Sequence, residues 1–127
     1  ILAIEQVIDK VKPDVIYTHS YKDTHQDHRN ASYATLSAGR NIKKILMYES
    51  PSSLRDFVPQ VFIDIGPTFK LKKQVTNIFA LHSVNSRYRL AAEVIESLAK
   101  YRGFQARVKM AEAFEVGKFI HDVLNTH

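Results

Sequence analysis

Apolar residues over the first eleven positions recur with the period of an α-helix. Four of them step by three and four residues, with charged side chains between them: Ile1, Ile4, Ile8 and Val11. This spacing puts the apolar side chains on one face of an amphipathic helix. Because proline disfavours helix at the residue before it, we predict that the helix ends ahead of Pro13.

Three short apolar runs follow, each of a length typical of a buried strand. They span residues 15–17, 44–49 and 61–65, and β-branched and aromatic side chains enrich them. Between the first two runs we predict a helix over residues 29–38, capped by Asp27 and ended by Gly39. Helices and strands that alternate at this spacing predict an α/β fold built on a parallel sheet.

Two more helices are predicted in the second half of the chain. Their apolar faces carry Leu71, Val75, Ile78, Phe79 and His82 in the first helix, and Leu90, Val94, Ile95, Leu98 and Tyr101 in the second. We expect Gly103 to end the second helix. A short strand is predicted over residues 110–116 and a terminal helix over residues 119–124. With no repeat or linker in the sequence, residues 1–127 are predicted to form a single, partial domain.

The polar segment after the first predicted strand concentrates groups that bind metals. It holds three of the six histidines of the chain and two aspartates: His19, Asp23, His25, Asp27 and His28. Imidazoles and carboxylates bind divalent metals and perform acid/base catalysis. An open α/β sheet binds ligands beyond the carboxyl ends of its strands. We therefore predict that this loop forms one wall of an active site.

The composition of the chain limits which metal ligands are available and which classes of partner are expected. The chain has no cysteine, so any metal must take nitrogen and oxygen ligands, and a reducing, cytoplasmic location is expected. No apolar run approaches the ~20 residues of a membrane span. The net charge is +5, but the basic residues are spread out without interleaved aromatics, so no nucleic-acid partner is predicted.

The segment His25-Gln26-Asp27-His28 contains the functional groups for about half of a hydrolytic site. It offers one metal ligand, a second histidine that can stabilise an oxyanion, and a carboxylate that can orient this histidine. A site built only from His19, His25 and His28 is an alternative. The metallo-β-lactamase pattern His-x-His-x-Asp-His is also partly matched, but Asp23 stands where its first histidine is required.

Several segments of the chain resemble the LmbE-like, or PIG-L (N-acetylglucosaminyl-phosphatidylinositol de-N-acetylase), family. The most specific is Asp23-x-His25-x-Asp27-His28-Arg29, preceded by the Pro-Asp-Val-Ile-Tyr-Thr-His run of residues 13–19. Further similar segments follow in order at residues 48–53, 61–65, 98–103 and 111–114.

The resemblance implies a Rossmann-like α/β fold and a zinc-dependent hydrolase. Family members remove acetyl groups from N-acetylated amino sugars and related amides, so a small N-acetylated sugar or amide is the implied substrate. By position, His28 would be the zinc ligand and His25 the oxyanion stabiliser or general acid. Asp27 would orient His25, and His19 and Asp23 receive no role.

The chain also departs from the pattern of this family. The first motif, Ala-His-Pro-Asp-Asp-Glu, supplies the other zinc ligands and the general base of the family, and it does not occur here. We therefore expect an open, mostly parallel sheet that is incomplete at its N-terminal side. The isolated chain is expected to be inactive, to hold zinc weakly if at all, and to self-associate or to require upstream residues.

Other ionisable residues, and one further function, stay open at this point. Near residue 82 the family has a Ser-Gln or Ser-Glu pair, whereas this chain reads His82-Ser83-Val84-Asn85-Ser86. His82 and Glu112 are predicted to be structural, and Glu49 is left undecided. A rival function is a non-catalytic module whose loop binds an anion, a sugar or a partner subunit.

Overall fold

A computed structural model describes residues 1–82 and 90–123 of the chain. Its elements alternate between helix and strand through the first half. In chain order they are α1 Leu2–Val11, β1 Val15–His19, α2 Gln26–Ala38, β2 Lys44–Tyr48, β3 Val61–Asp64, a 3₁₀ turn Gly66–Thr68, α3 Phe69–Leu81, α4 Ala91–Ala106 and β4 Ala111–Phe119. The predicted α/β class is confirmed.

Strands β1 and β2 are parallel neighbours, joined by the crossover helix α2. Their register runs from Val15 opposite Lys44 to His19 opposite Tyr48. Helix α2 packs against β1 and against α1, and it ends at Gly39 as predicted. The carboxyl ends of the two strands therefore lie side by side, at the edge where such sheets bind ligands.

The sheet is mixed, and the predicted mostly parallel order is wrong. Its four strands have the order β1-β2-β4-β3, and β4 is antiparallel to β2. Lys44 pairs with Phe119 and Tyr48 with Phe114, with an irregularity between Ile45 and Leu46. Because β2 forms these ladder hydrogen bonds, the chain stays extended through Phe119. The helix predicted over residues 119–124 is absent from residues 119–123, and residue 124 lies outside the described residues.

The chain divides into two compact units, Ile1–Val61 with the described residues from Phe114 on, and Phe62–Ala113. In the first unit the middle of β2 is the most deeply buried segment, at Ile45, Leu46 and Met47. The core of the second unit comprises Ile65, Phe69, Ala99 and Met110, with Ile63 and Ile95 packed against it. The single partial domain over residues 1–127 stays a prediction.

Helix α4 does not end at Gly103, as the sequence had suggested. It continues to Ala106, and Arg107 ends it in the left-handed conformation (φ 62°). Gly103 is buried, and a Cβ added to it would lie only 2.7 Å from the carbonyl oxygen of Lys109. Its role is therefore a close approach between the helix and the segment that follows, rather than a helix stop.

The predicted apolar faces of α3 and α4 are largely exposed among the described residues. Leu71, Val75, Ile78 and Phe79 of α3 are all more than half exposed, and so are Leu90 and Tyr101 around α4. His82 is the exposed C-cap residue of α3, which supports its structural interpretation as a cap residue but not as part of a buried face. Residues 83–86, the departure from the family pattern, lie outside the described residues. No helix within residues 1–82 and 90–123 has the length and apolar character of a membrane span.

Candidate functional site

The histidine loop leaves the carboxyl end of β1 and enters α2 earlier than the sequence suggested. His19 is the last residue of β1, and α2 begins at Gln26, with His25 rather than Asp27 as its N-cap. The Nδ1 atom of His25 accepts a hydrogen bond of 3.2 Å from the backbone N–H of Asp27. A side-chain acceptor at this position satisfies one of the free N–H groups of the first turn. His28 therefore lies in the first turn of the helix.

The three histidines of the loop form a stack of imidazole rings. The ring centroids of His25 and His28 are 4.3 Å apart with an interplanar angle of 15°, and those of His28 and His19 are 3.9 Å apart at 8°. His19 also meets the ring of Tyr48 edge-on at 4.8 Å. His28 is thus the middle ring, with an imidazole against each of its faces.

Asp23 is the buried centre of the site, although no role was predicted for it. It is 1% exposed, and the donors to its carboxylate include His25 N at 2.8 Å, Ser50 Oγ at 2.8 Å and His28 Nδ1 at 3.0 Å. Burial raises the pKa of Asp23, but the hydrogen bonds from His25, His28, Ser52 and Ser50 outweigh burial and lower it to about 2. Asp23 is therefore an ionised carboxylate at neutral pH.

A second loop, which follows β2, is joined to the histidine loop. Thr24 N donates to Ser52 O at 3.0 Å, Leu54 N donates to Lys22 O at 2.9 Å, and Asp23 forms an isolated antiparallel bridge with Ser53. In the sequence this segment contributed only to the family resemblance. Its position after β2, whose neighbour β1 carries the histidines, is the signal that could have placed it at the site.

A buried polar network anchors the histidine loop to β4, and sequence reasoning missed it. Ser20 Oγ donates to Glu115 Oε1 at 3.1 Å, and Lys22 Nζ donates to Glu115 Oε2 at 2.7 Å. Glu115 and Ser20 are both buried. The hydrogen bond to Glu115 raises the pKa of Lys22, against the opposing effect of desolvation. Because Lys22 stays charged, this buried carboxylate has its counterion.

The remaining candidates from the sequence lie in other surroundings. Asp27 is exposed, and the contact that orients His25 comes from its backbone. Glu112 pairs with Lys72, which supports its structural interpretation. Glu49 is half-buried and follows β2. Within the described residues, these groups stand outside the cluster of possible metal ligands.

The residues present fit a divalent metal ion. His19, Asp23 and His28 each offer a ligand atom, and these atoms lie within 4.8 Å of one another, whereas His25 is not in this group. The Nδ1 atom of His19 is buried and has no hydrogen-bond partner among the described residues. Burial first, and then the neighbouring His28, lower the pKa of His19. A neutral imidazole with a free lone pair is the form that binds zinc.

The partial burial of Tyr48, which lies next to His19, indicates that this part of the site is shielded from water. Burial first, and then the charge of Asp23, raise the pKa of Tyr48. Tyr48 is therefore a neutral phenol at physiological pH, and it faces His19 across the two parallel strands. A metal ion held beside it would lie partly screened from water, where charge interactions are stronger than in bulk solvent.

Comparison with known proteins finds a family model that matches the segment with the three stacked histidines, and one similar curated protein. The family model described as PIG-L, GlcNAc-PI de-N-acetylase, matches residues 1–39. The uncharacterized deacetylase YaiS of Escherichia coli (strain K12) is 42% identical over 67 residues, which cover 49% of this chain and 36% of that protein. The resemblance predicted from the residues is confirmed.

Two solved structures share the fold. The conserved protein TT1542 from Thermus thermophilus superposes with a TM-score of 0.77 and 17% identity, over 99% of this chain and 61% of its own. The N,N'-diacetylchitobiose deacetylase from Pyrococcus horikoshii gives a TM-score of 0.73 and 15% identity, over 98% of this chain and 54% of its own. This chain therefore spans between about a third and three-fifths of the length of these relatives.

Proposed function

We propose, from the resemblance to the PIG-L deacetylases, that this chain supplies half of the active site of a zinc-dependent deacetylase. The reaction is hydrolysis of an acetamide, in which water cleaves the C–N bond to give acetate and a free amine. The observation that carries the proposal is the imidazole stack at the carboxyl end of β1, in the segment that the family model matches.

His28 is the residue that would hold the metal in this proposal. It lies in the first turn of α2, fixed between the rings of His19 and His25 and hydrogen-bonded to Asp23. Zinc, when bound, supplies a Lewis acid that lowers the pKa of a water molecule towards neutrality. The remaining ligands and the general base of the family have no counterpart in this sequence.

His25 is suited to donate a proton or a hydrogen bond to the substrate. Because its Nδ1 atom accepts the N–H of Asp27, the proton of the neutral ring lies on Nε2. Nε2–H can therefore donate to the acetamide oxygen as negative charge develops on it, or protonate the leaving amine. Asp27 acts in this proposal through its backbone, which fixes the tautomer of His25.

An N-acetylated amino sugar is the proposed substrate. The support is the description of the matching family as a GlcNAc-PI de-N-acetylase, together with a structural neighbour named for N,N'-diacetylchitobiose. The exposure of His25 at the rim of the loop leaves its ring accessible to such a substrate.

The alternative of a metal site built within this chain alone has one observation in its favour. His19, Asp23 and His28 come together without any residue from outside the chain. Asp23, however, already accepts hydrogen bonds on both of its oxygens, so a metal ion would compete with these donors for its lone pairs. The three-histidine version has less support, because His25 lies outside this group.

Acetate release tests the proposed function in the protein that carries this chain. N-acetylglucosamine and N,N'-diacetylchitobiose serve as substrates, with and without a chelator and with zinc restored afterwards. We expect activity that is lost on chelation and recovered with zinc.

His25→Ala should lower kcat by about 10²–10³-fold, the usual cost of losing one oxyanion donor. His121→Ala, at an exposed histidine, is the matched control. Full activity after chelation, or in His25→Ala, would contradict the proposal.

A further inference from the structure

Asp23 is the most deeply buried ionisable group of the site, and neither the sequence patterns nor the proposed mechanism gave it a function. Only 1% of its surface is exposed. It lies in the loop between β1 and α2, where it contacts the start of the helix and the loop that follows β2. A buried carboxylate is costly unless hydrogen bonds compensate it, so these contacts define what it can do.

Both carboxylate oxygens of Asp23 are acceptors. Oδ1 accepts the backbone N–H of His25, a group that can only donate. Oδ2 accepts the hydroxyl of Ser50 at 2.8 Å and also lies 3.0 Å from Nδ1 of His28. An ionised carboxylate has no proton to give, so the hydrogen between Asp23 and His28 must belong to the imidazole.

This hydrogen bond has a chemical consequence for the opposite nitrogen of the ring. A neutral imidazole carries a single N–H, and at His28 that N–H is on Nδ1. The lone pair of Nε2 then remains free. Neutral imidazole binds metals through such a lone pair, and a partner on the other nitrogen fixes which one is available.

The contacts of His28 fix the orientation of its ring as well as its tautomer. The imidazoles of His19 and His25 cover the two faces of His28, at centroid distances of 3.9 and 4.3 Å. The Asp23 contact then determines the rotation of the ring within the stack. Asp23 is itself held by Ser50, whose hydroxyl lies 2.9 Å from that of Ser52. The loop after β2 thus supports the orientation of His28 through Asp23.

We infer that Asp23 is a positioning residue, which holds His28 as the Nδ1–H tautomer and leaves Nε2 as the metal-binding atom. The inference rests on the proposed function, because it gives His28 the role of metal ligand. It assigns Ser50 a supporting role through the same carboxylate. His25 has the opposite tautomer, since its Nδ1 atom accepts an N–H. The two neighbouring imidazoles are therefore differentiated, one as a ligand and one as a donor.

Histidine tautomers in the metal-free protein test this inference without any activity measurement. Long-range ¹H–¹⁵N NMR spectra of the ¹⁵N-labelled 127-residue chain at about pH 8.5, well above the usual pKa of histidine, identify which ring nitrogen carries the proton. We expect the Nδ1–H form at His28 and the Nε2–H form at His25. An Nε2–H form at His28 in the unmodified chain would overturn the inference.

Two variants separate the contribution of Asp23 from its surroundings. Asp23→Asn replaces the acceptor by an amide that can donate to Nδ1, and it should lower the ratio of Nδ1–H to Nε2–H at His28 by about ten- to a hundredfold, the effect of losing one charge-assisted hydrogen bond. Ser50→Ala removes a partner of Asp23 but keeps the carboxylate, so the Nδ1–H form should persist. An unchanged ratio in a folded Asp23→Asn variant would overturn the inference. If this variant does not fold, the tautomer of His28 in the unmodified chain decides.

Zinc titration separates this inference from the proposed function. In the protein that carries this chain, Asp23→Asn should weaken zinc binding by about 10- to 100-fold, as is usual for the partner of a metal-binding histidine. Unchanged zinc affinity in this variant would overturn the positioning role. Absence of zinc binding in the unmodified protein would contradict the proposed function instead, and the tautomer ratio would then decide whether Asp23 positions the ring.

Discussion

Three kinds of donor converge on the single buried carboxylate of Asp23: a backbone N–H, a hydroxyl and an imidazole N–H. Each connects Asp23 to a different part of the site, namely the start of α2, the loop after β2 and the middle ring of the histidine stack. Removing Asp23 would therefore loosen the loop and leave the tautomer of His28 undetermined. Its hydrogen bonds favour the ionised form strongly enough to overcome burial.

This preference for the ionised form makes Asp23 a source of acid sensitivity in the metal-free protein. Its pKa is lowered from 3.8 to about 2 on folding. A lowered pKa gives stability that is present above the unfolded value and is lost as the pH falls through the folded one. Between pH 5 and pH 2 the free energy of unfolding should fall by about 2 kcal/mol more in the unmodified chain than in Asp23→Asn. Urea unfolding followed by circular dichroism measures both. Parallel pH profiles would contradict the assignment.

At the residue scale, the sequence revealed which residue types are present but not how they are paired. The cluster of histidines and aspartates after β1 was recognised because folding alone does not require so many ligand groups. The role of Asp23 was not, because its partner Ser50 is 27 residues away and the ring of His28 turns towards it only in the folded helix. The role of Glu115 could not be predicted for the same reason, since its partner Lys22 is 93 residues away.

At the scale of elements, helix α2 begins three residues earlier than the sequence predicted. Helix α2 begins at Gln26, so His25 caps it and His28 lies inside its first turn. The sequence favoured Asp27 as the cap, because aspartate is a common N-cap residue. In the structure the carboxylate of Asp23 binds the N–H of His25, and the ring of His25 in turn accepts from the backbone of Asp27. These two hydrogen bonds stabilise an earlier start of the helix, and the helix propensities of the individual residues do not predict them.

Helix α4 provides a direct test of close packing in the second unit. In Gly103→Ala, the added Cβ would lie 2.7 Å from Lys109 O and 2.9 Å from Lys109 C, both backbone atoms that cannot rotate away. Although alanine is the better helix former, this overpacking should reduce the free energy of unfolding by about 1–3 kcal/mol. Gly66→Ala is the control, because its nearest neighbour is a side-chain oxygen of Asp64 at 3.2 Å. Equal effects in thermal unfolding would contradict the packing argument.

Strand β4 shows why the order of the sheet could not be obtained from the pattern alone. The alternation of helices and strands predicted parallel neighbours, and β1 and β2 are parallel. The partner on the other side of β2 comes from the end of the chain, with Phe114 opposite Tyr48. Periodicity describes which segments are strands, whereas pairing over such a separation depends on tertiary packing. The same pairing keeps Phe119 extended where a helix was predicted.

At the scale of the whole molecule, the fold is shared with larger proteins. Nearly the whole chain superposes on TT1542, but it covers 61% of that structure. Apolar side chains on α3, such as Leu71 and Ile78, are more than half exposed. Self-association, or the presence of upstream residues, stays a prediction from the sequence. The activity, substrate and partners of the whole protein likewise stay proposals.

The distinction between His28 as a metal ligand and His25 as a donor is central to the proposed site, and zinc content tests it directly. Elemental analysis of the purified protein that carries this chain should find one zinc per chain. His25→Ala should retain the metal, because this residue lies outside the group of ligand atoms, and His82→Ala, at the exposed end of α3, should do the same. His28→Ala should lose it. Zinc retained at full occupancy in His28→Ala, or lost equally in His25→Ala, would contradict the assignment of the two histidines.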